Sequence, residues 1–256
     1  MITDVNVNLS RWPFRRLPGD EPLALATKLG KMKVTQAWAG SFDGIFHKDL
    51  AGVNARLAAD CRQFGAGLLL PFGSVNPKLP DWREDLRRCV EDHKMSGIRL
   101  HPNYHGYTLD NPEFHELLQL AAARKLVVQL ALCMEDERTQ HPLMPVPPVD
   151  IGPLANAVAR ERQLKLVILN SYPQLPLERL RALSSAGQVY FDLSMVEQVR
   201  GVARLGEYVS PDRVLFGSNY PFFVFESALL KMQEAELTET QRAAILEGHA
   251  RRLLAR

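Results

Sequence analysis

Short apolar runs alternate with longer segments of helical period along nearly the whole of this 256-residue chain. The runs are rich in Val, Ile and Leu, and such nearly continuous apolar strands are typical of parallel sheets that are buried on both faces. The alternation therefore indicates an α/β fold. We predict strands near residues 2–8, 33–39, 67–74, 97–101, 126–132, 165–170, 188–193 and 213–218.

A helical pattern follows each of the predicted strands. Some of these patterns begin with start signals: Pro80 and Pro112 precede acidic first turns, and Thr238 stands three residues before Gln241 as in a capping box. The helical patterns lie near residues 22–31, 49–64, 80–94, 112–124, 152–163, 176–185, 198–208, 222–235 and 238–255.

Eight predicted strands, each followed by a helix, are the repeat of a (β/α)8 barrel, and the chain length fits one. We therefore predict a single (β/α)8 barrel domain, a TIM barrel, over residues 1–256. An open doubly wound sheet is the alternative. No Gly-x-Gly-x-x-Gly and no phosphate-binding loop follows a predicted strand, and this absence argues against a dinucleotide-binding sheet.

Composition and charge exclude several classes of protein. The 31 basic and 29 acidic residues nearly cancel, and no basic stripe is interleaved with aromatics, so we expect no nucleic-acid partner. The apolar runs are too short to span a bilayer, so we expect no membrane partner. The three cysteines form no C-x-x-C pair, and the first strand begins directly after Met1. Together these features predict a reduced, cytoplasmic protein.

Polar side chains stand where almost every predicted strand ends. In a barrel of this kind the functional residues lie at the carboxyl ends of the strands, so polar residues there, beside apolar strand bodies, predict a pocket. The residues are Asn6, Asn8, Ser74, Asn76, Arg99, His101, Gln129, Asn170, Ser171, Asp192, Ser218 and Asn219.

Three motifs resemble those of the amidohydrolase superfamily. GIRLHP (97–102) is similar to the fourth-strand motif, RVLFGSNYPF (213–222) to the eighth-strand motif and ILEGHARRLL (245–254) to the terminal helix. Over essentially its whole length the chain resembles the amidohydrolase-related TIM-barrel hydrolases, the branch that includes carboxymuconate-semialdehyde decarboxylase. The resemblance implies a barrel of metal-dependent-hydrolase type.

The metal-ligand positions of that family are altered in this chain. Members begin Asp-x-His-x-His, with both His on a divalent metal, whereas this chain has Asn6 and Asn8 there. The sixth-strand His corresponds to Asn170, the eighth-strand Asp to Asn219, and the fifth-strand position lies near Ala131. Neutral amide oxygens are weak ligands for zinc and its relatives, so we expect no metal and no cofactor. The amides either satisfy one another in a degenerate pocket or bind a ligand by hydrogen bonds.

Hydrolysis without a metal needs a general base and donors for the developing oxyanion. We predict that Arg99 binds an anion and that His101 or Asp192 moves protons. A structural imidazole under the His-Pro turn is the alternative for His101, and a strand-end cap is the alternative for Asp192. A metal held by shifted ligands such as His101 with Asp192 is a further alternative.

The function predicted from these residues is hydrolysis of an amide or lactone, or decarboxylation, of a small, anionic, carboxylate-bearing molecule. The alternative is a catalytically inactive pseudoenzyme that binds a ligand or a partner protein. An open pocket with a titratable pair favours the enzyme, and a pocket plugged by Trp12 or Phe222 favours the pseudoenzyme. The family resemblance also suggests a homodimer. The predicted substrate-binding residues are Asn6, Asn8, Asn170, Asn219, Arg11, Trp12, Tyr104, His105, Glu135, Arg138 and His141.

Overall fold

The computed structural model describes residues 1–171, 176–197 and 199–255, and it shows eight parallel strands in sequential order. The TIM barrel predicted from the sequence is confirmed. The strands are β1 (Ile2–Leu9), β2 (Val34–Ser41), β3 (Leu69–Ser74), β4 (Gly97–Leu100), β5 (Val127–Ala131), β6 (Lys165–Leu169), β7 (Gln188–Asp192) and β8 (Val214–Leu215).

The segment that contains β8 closes the barrel against β1. The Val5 N–H donates to the Phe216 carbonyl at 2.9 Å, and the Asn8 N–H donates to the Tyr220 carbonyl at 3.0 Å. Val7 and Tyr220 form an isolated parallel bridge. The carboxyl ends of the strands therefore meet around one mouth, as the barrel topology requires.

Helices surround the strands. They are α1 (Pro22–Lys31), α2 (Asp43–Phe46), α3 (Leu50–Gly65), α4 (Trp82–Glu91), α5 (Pro102–His105), α6 (Pro112–Ala123), α7 (Leu154–Arg160), α8 (Leu177–Ala186), α9 (Gly201–Tyr208), α10 (Phe225–Glu234), α11 (Glu239–Ala243) and α12 (His249–Leu254). Single 3-10 turns occur at Glu137–Thr139 and Pro211–Arg213.

Some helix starts follow the predicted signals. Thr238 and Gln241 form the capping box expected from the sequence, and the Asn111 side chain accepts from the Glu113 and Phe114 N–H groups at the start of α6. The segment predicted as one helix over 238–255 is instead α11, a π-helical turn at Ala244–Gly248 and α12.

The differences from the predicted elements concentrate near the mouth. The four-residue helices α2 and α5 are too short to give a periodic signal, and they were not predicted. Strand β8 is shorter than predicted, since residues 216–218 are not in it. Asn219, just beyond them, has a left-handed backbone with a φ of 54°.

Inside the barrel, apolar side chains fill the end opposite the mouth. The Trp38 and Phe72 rings stack with centroids 4.8 Å apart, and Ala250 and Leu253 of α12 pack in the same cluster. The polar residues of the predicted pocket therefore lie at the other end of the barrel, where the carboxyl ends of the strands meet. Within the described residues we find no helix that is long and apolar enough to cross a membrane.

Candidate functional site

Two of the asparagines, Asn6 and Asn170, are bound to each other and to an acid. Asn6 Nδ2 donates to Asn170 Oδ1 at 2.9 Å and to Asp192 Oδ2 at 2.8 Å. Asn170 Oδ1 also accepts from Ser194 Oγ at 2.8 Å, and Asn170 Nδ2 donates to the Cys133 carbonyl at 2.7 Å. We call Asn6, Asn170, Asp192 and Ser194 the amide network. Its members bind one another across β1, β6 and β7.

Backbone geometry gives a second reason for asparagine at two positions. Asn170 and Asn219 both have left-handed backbones, with φ values of 57° and 54°. Among non-glycine residues Asn adopts this conformation most readily. The Asn170 N–H donates to Asp192 Oδ1 at 2.9 Å, which fixes the turn after β6.

Asp192 and Asp4 are buried acids that hold the strand ends. Burial raises the pKa of Asp192, and the hydrogen bonds from its neighbours oppose that shift. Asp4, which the sequence analysis did not single out, accepts from the Ser218 hydroxyl and from the Ser218 and Asn6 N–H groups. Burial raises the pKa of Asp4 to about 7. Asp4 thus ties β1 to the segment after β8.

The side-chain N–H groups of Arg99 are all hydrogen-bonded to other groups of the protein. Its side chain is 1% exposed, and burial lowers its pKa to about 10, so the guanidinium is charged at neutral pH. A guanidinium has five N–H donors, and each has an acceptor here. The acceptors are Gln129 Oε1 (2.8 Å), Asn8 Oδ1 (2.7 Å) and the carbonyls of Val7 (2.9 Å), Trp38 (3.1 Å) and Val5 (3.4 Å).

An irregularity in β1 explains this use of Arg99. The register between β1 and β2 shifts between Asp4 and Val7, as at a β-bulge. A bulge leaves backbone groups outside the strand ladder, and they need other partners. The Val5 carbonyl accepts from Arg99 and, at 2.6 Å, from Gln129 Nε2. An anion at the mouth would find no N–H of Arg99 to bind unless one of these bonds broke.

His101 is a buried imidazole that forms no hydrogen bond with any described residue. Its side chain is 1% exposed, and neither Nδ1 nor Nε2 has a partner. Burial lowers its pKa well below the usual value, and His105 and Arg99 lower it further. His101 is therefore a neutral imidazole near pH 7, with one ring nitrogen that can accept a proton.

Other buried polar atoms at the mouth also lack partners among the residues in the described ranges. They include Asn8 Nδ2, Asn219 Oδ1 and Trp12 Nε1. An unpaired buried donor or acceptor costs about 1–3 kcal/mol. Two donors and an acceptor that lack protein partners could be satisfied by a small polar ligand.

Aromatic rings cover the mouth. Trp12, 2% exposed, lies at the centre, with its ring centroid 4.8 Å from that of Phe222 and 5.3 Å from that of Phe42. All these rings follow the carboxyl ends of β1, β2, β4 or β8, so they close the mouth in this conformation. We call the set the aromatic cover, and its members are Trp12, Phe14, Phe42, Phe46, Tyr104 and Phe222.

Several predicted binding residues lie outside this buried group. Arg11 forms an exposed ion pair with Glu21, and Arg138 forms one with Asp136. The exposed His141 stacks on Phe14 with ring centroids 5.5 Å apart. The structure therefore does not bring Arg11, Arg138 and His141 together with His101.

Glu135 and a missed residue, Arg15, meet at the edge of the aromatic cover. Glu135 is buried and pairs with Arg15 Nη1, which also donates to the Thr139 carbonyl at 3.2 Å. The guanidinium carbon of Arg15 lies 5.5 Å from the Phe222 ring centroid. The sequence RWPFRR gives three arginines after the first strand, and it does not say which one faces the mouth.

Two of the four amide oxygens at the positions that the resemblance assigns to metal ligands already accept hydrogen bonds. An amide binds a cation through its oxygen. Asn8 Oδ1 accepts from the cationic Arg99, and Asn170 Oδ1 already accepts two hydrogen bonds. In residues 1–171, 176–197 and 199–255, no three His, Cys, Asp or Glu side chains are grouped so that they could hold a metal ion.

The sequence model of the amidohydrolase family matches residues 13–256. The chain belongs to the amidohydrolase family. The match begins after β1, so Asn6 and Asn8 lie outside the matched residues of this amidohydrolase. No curated protein matches the chain.

Solved structures share the fold at low sequence identity. 5-Carboxyvanillate decarboxylase from Sphingomonas paucimobilis is 14% identical, with a TM-score of 0.73 over 99% of this chain and 98% of that one. Dihydroxybenzoic acid decarboxylase from Polaromonas sp. JS666, with bound manganese and the inhibitor 2-nitroresorcinol, is 12% identical, with a TM-score of 0.72 over 99% and 97%. 4-Oxalomesaconate hydratase from Rhodopseudomonas palustris is 16% identical, with a TM-score of 0.68 over 99% and 95%.

Proposed function

We propose that this amidohydrolase-family barrel is a metal-independent hydrolase that opens an amide or lactone bond in a small carboxylate-bearing molecule. The observation that carries the proposal is His101, a buried neutral imidazole with both ring nitrogens unpartnered among the described residues. Such a group takes a proton from water as the water attacks a carbonyl carbon. The amide network and Arg99 hold the surrounding strand ends.

The other unpartnered atoms at the mouth supply the other roles in this proposal. Asn8 Nδ2 and Trp12 Nε1 are donors for the carbonyl oxygen as it becomes an oxyanion. Asn219 Oδ1 accepts from the attacking water or from a substrate N–H. Arg15, at the edge of the aromatic cover, replaces Arg99 as the contact for the substrate carboxylate.

Hydrolysis is favoured over decarboxylation by the charge state of His101. Loss of carbon dioxide leaves a carbanion, which needs a proton donor. A histidine whose pKa is lowered by burial is neutral at pH 7 and donates poorly, whereas it is ready to act as a base. Asp192, whose two oxygens accept from Asn6 and Asn170, has a positioning role in this proposal.

The test is a screen of N-acyl amino acids and lactone carboxylates, followed by the variant H101Q on any substrate that is found. We expect H101Q to lose roughly 10²–10⁴-fold in kcat, and chelator to change nothing. The acid limb of the wild-type pH–rate profile is expected below pH 6.5, because burial lowers the pKa of His101. H115Q, the same change at a histidine of α6, is the control. Activity that chelator abolishes, or that H101Q leaves intact, contradicts the proposal.

A second candidate is a non-catalytic protein that binds the same kind of ligand. The aromatic cover supports it, because Trp12 and Phe222 pack against each other over the mouth. Binding of a small carboxylate without turnover, in the wild type and in W12A alike, would favour this candidate. A homodimer, a cytoplasmic location and an anionic ligand stay predictions.

A further inference from the structure

A basic pocket lies at the amino ends of the strands, opposite the mouth. Its residues come from the turns that lead into β4 and β5, from the first residue of β6 and from the end of α12. The pocket has a volume of about 380 Å³, which is in the range of small-molecule sites. We call it the basal pocket, and its polar side chains are those of Lys94, Ser96, Arg124, Lys125 and Lys165.

The basal pocket is lined by four cationic side chains and by no carboxylate of the residues that the structure describes. The acids nearest to Lys94 along the chain are Glu91 and Asp92, and both are bound to Arg87, at 2.9 and 3.1 Å. The net charge of the whole chain is only +2, so this excess of positive charge is local. An anion that entered the pocket would meet a positive potential that no described acid offsets.

Lys165 connects the basal pocket to the floor of the barrel. Its Nζ donates to the Leu253 carbonyl at 2.6 Å and to the Ala255 carbonyl at 3.1 Å, so one of its three N–H groups remains. Burial lowers the pKa of Lys165, and the charge of Lys125 lowers it further. The two ammonium groups therefore repel each other, and a bound anion would relieve this repulsion.

The other side chains keep more of their donors. Arg124 donates Nη1 to the Leu120 carbonyl at 3.3 Å, and its remaining N–H groups have no acceptor among the described residues. Lys94 and Lys125 are exposed, and neither ammonium group is bound to a residue in the described ranges. The half-buried Ser96 adds a hydroxyl. Together these groups can donate to several oxygens of one anion.

The lining of the basal pocket indicates the kind of anion. Val90, Leu126 and Leu254 give it an apolar wall, which suits the carbon atoms of an organic molecule. None of the described lining residues is aromatic, so no ring is present to stack on a nucleobase. Lysine binds phosphate as a point charge, and a phosphate group has several oxygens for several donors.

We propose that the basal pocket binds a small aliphatic phosphate-bearing molecule, whose phosphate lies between Lys94, Arg124 and Lys125. The site does not depend on the proposed function of His101, because it lies at the opposite end of the barrel. Binding would hold the turns before β4 and β5 together and would raise the melting temperature, since a ligand that binds only the folded chain stabilises it.

The alternative is that the lysines only stabilise helix ends. Lys94 and Lys125 stand after α4 and α6 with left-handed backbones, at φ values of 54° and 57°, where a cation suits the helix dipole. Lys33 stands in the same way after α1, with a φ of 61°, and it does not line the basal pocket. Lys33, with the neighbouring exposed Lys31, therefore provides a control that is matched in charge and in backbone.

The experiment is calorimetric titration of inorganic tripolyphosphate into the full chain, at low and at raised salt. We expect one site per chain that weakens as salt is raised. The double variant K94Q/K125Q is expected to weaken binding by about tenfold, because it removes two of the charges. K31Q/K33Q is expected to leave binding unchanged. Equal affinity in K94Q/K125Q and wild type, or an equal loss in K31Q/K33Q, overturns the proposal.

Should K94Q/K125Q fail to fold, acetylation of the wild type by acetic anhydride decides, read by mass spectrometry. Tripolyphosphate is expected to slow the modification of Lys94 and Lys125 and not that of Lys33. Equal rates with and without tripolyphosphate at Lys94 and Lys125 overturn the proposal.

Vesicles of phosphatidylglycerol and phosphatidylcholine in equal parts distinguish a lipid headgroup from a free phosphate compound. We expect the chain not to sediment with them at raised salt. Sedimentation at raised salt that the vesicles cause through Lys94 and Lys125, without protection of these lysines by tripolyphosphate, would assign them to a lipid surface and overturn the proposal.

Discussion

Arg99 is the residue whose observed role differs most from the predicted one. The sequence places Arg99 and His101 two positions apart, which puts both on one face of a strand. In the structure β4 ends at Leu100, so this alternation stops before His101. The bulge in β1 then presents carbonyls to Arg99, and no periodicity in the sequence indicates a bulge.

We expect R99M to lower the free energy of unfolding by about 3–5 kcal/mol, because it leaves buried acceptors on β1, β2 and β5 without donors. Urea unfolding followed by circular dichroism measures the change. R11M, the same substitution at an exposed arginine, should stay within about 0.5 kcal/mol of wild type. Equal stability of R99M and R11M would show that Arg99 is free for another role.

At the scale of elements, the loops after the strands decide access to the site. Sequence reasoning identified Trp12 and Phe222 as residues that could plug the pocket, but it did not predict α2 and α5, which bring Phe46 and Tyr104 into the aromatic cover. Helices of four residues leave too short a pattern to detect. The contacts within the aromatic cover therefore could not be predicted from the sequence and are seen only in the structure.

We expect W12A to open the mouth and expose His101. The measurement is the rate at which diethyl pyrocarbonate modifies His101, read by mass spectrometry of the digested protein. Trp12 is 2% exposed at the centre of the cover, so its removal should speed modification well above the wild-type rate. F14A, which removes an outer ring that is 36% exposed, is the control. Modification as slow in W12A as in F14A would mean that another element protects His101.

For the whole molecule, alternating apolar runs and helical patterns sufficed to predict the barrel. The fold tolerates large changes in sequence, as the TM-score of 0.73 at 14% identity shows. Site chemistry does not follow from fold in the same way. The sequence gives the identity of the side chains at the strand ends, such as Asn170, but not which amide oxygens are already bound to other residues.

The central claim is that the mouth works through hydrogen bonds and proton transfer at His101 rather than through a cation at the four asparagines. The most direct measurement is elemental analysis of the purified chain, together with calorimetric titration of Mn²⁺ and Zn²⁺ into wild type and N219G. Glycine keeps the left-handed backbone at position 219 while it removes the amide. We predict far less than one divalent ion per chain, and titrations that N219G does not change. One tightly bound ion per chain that N219G loses would contradict the account.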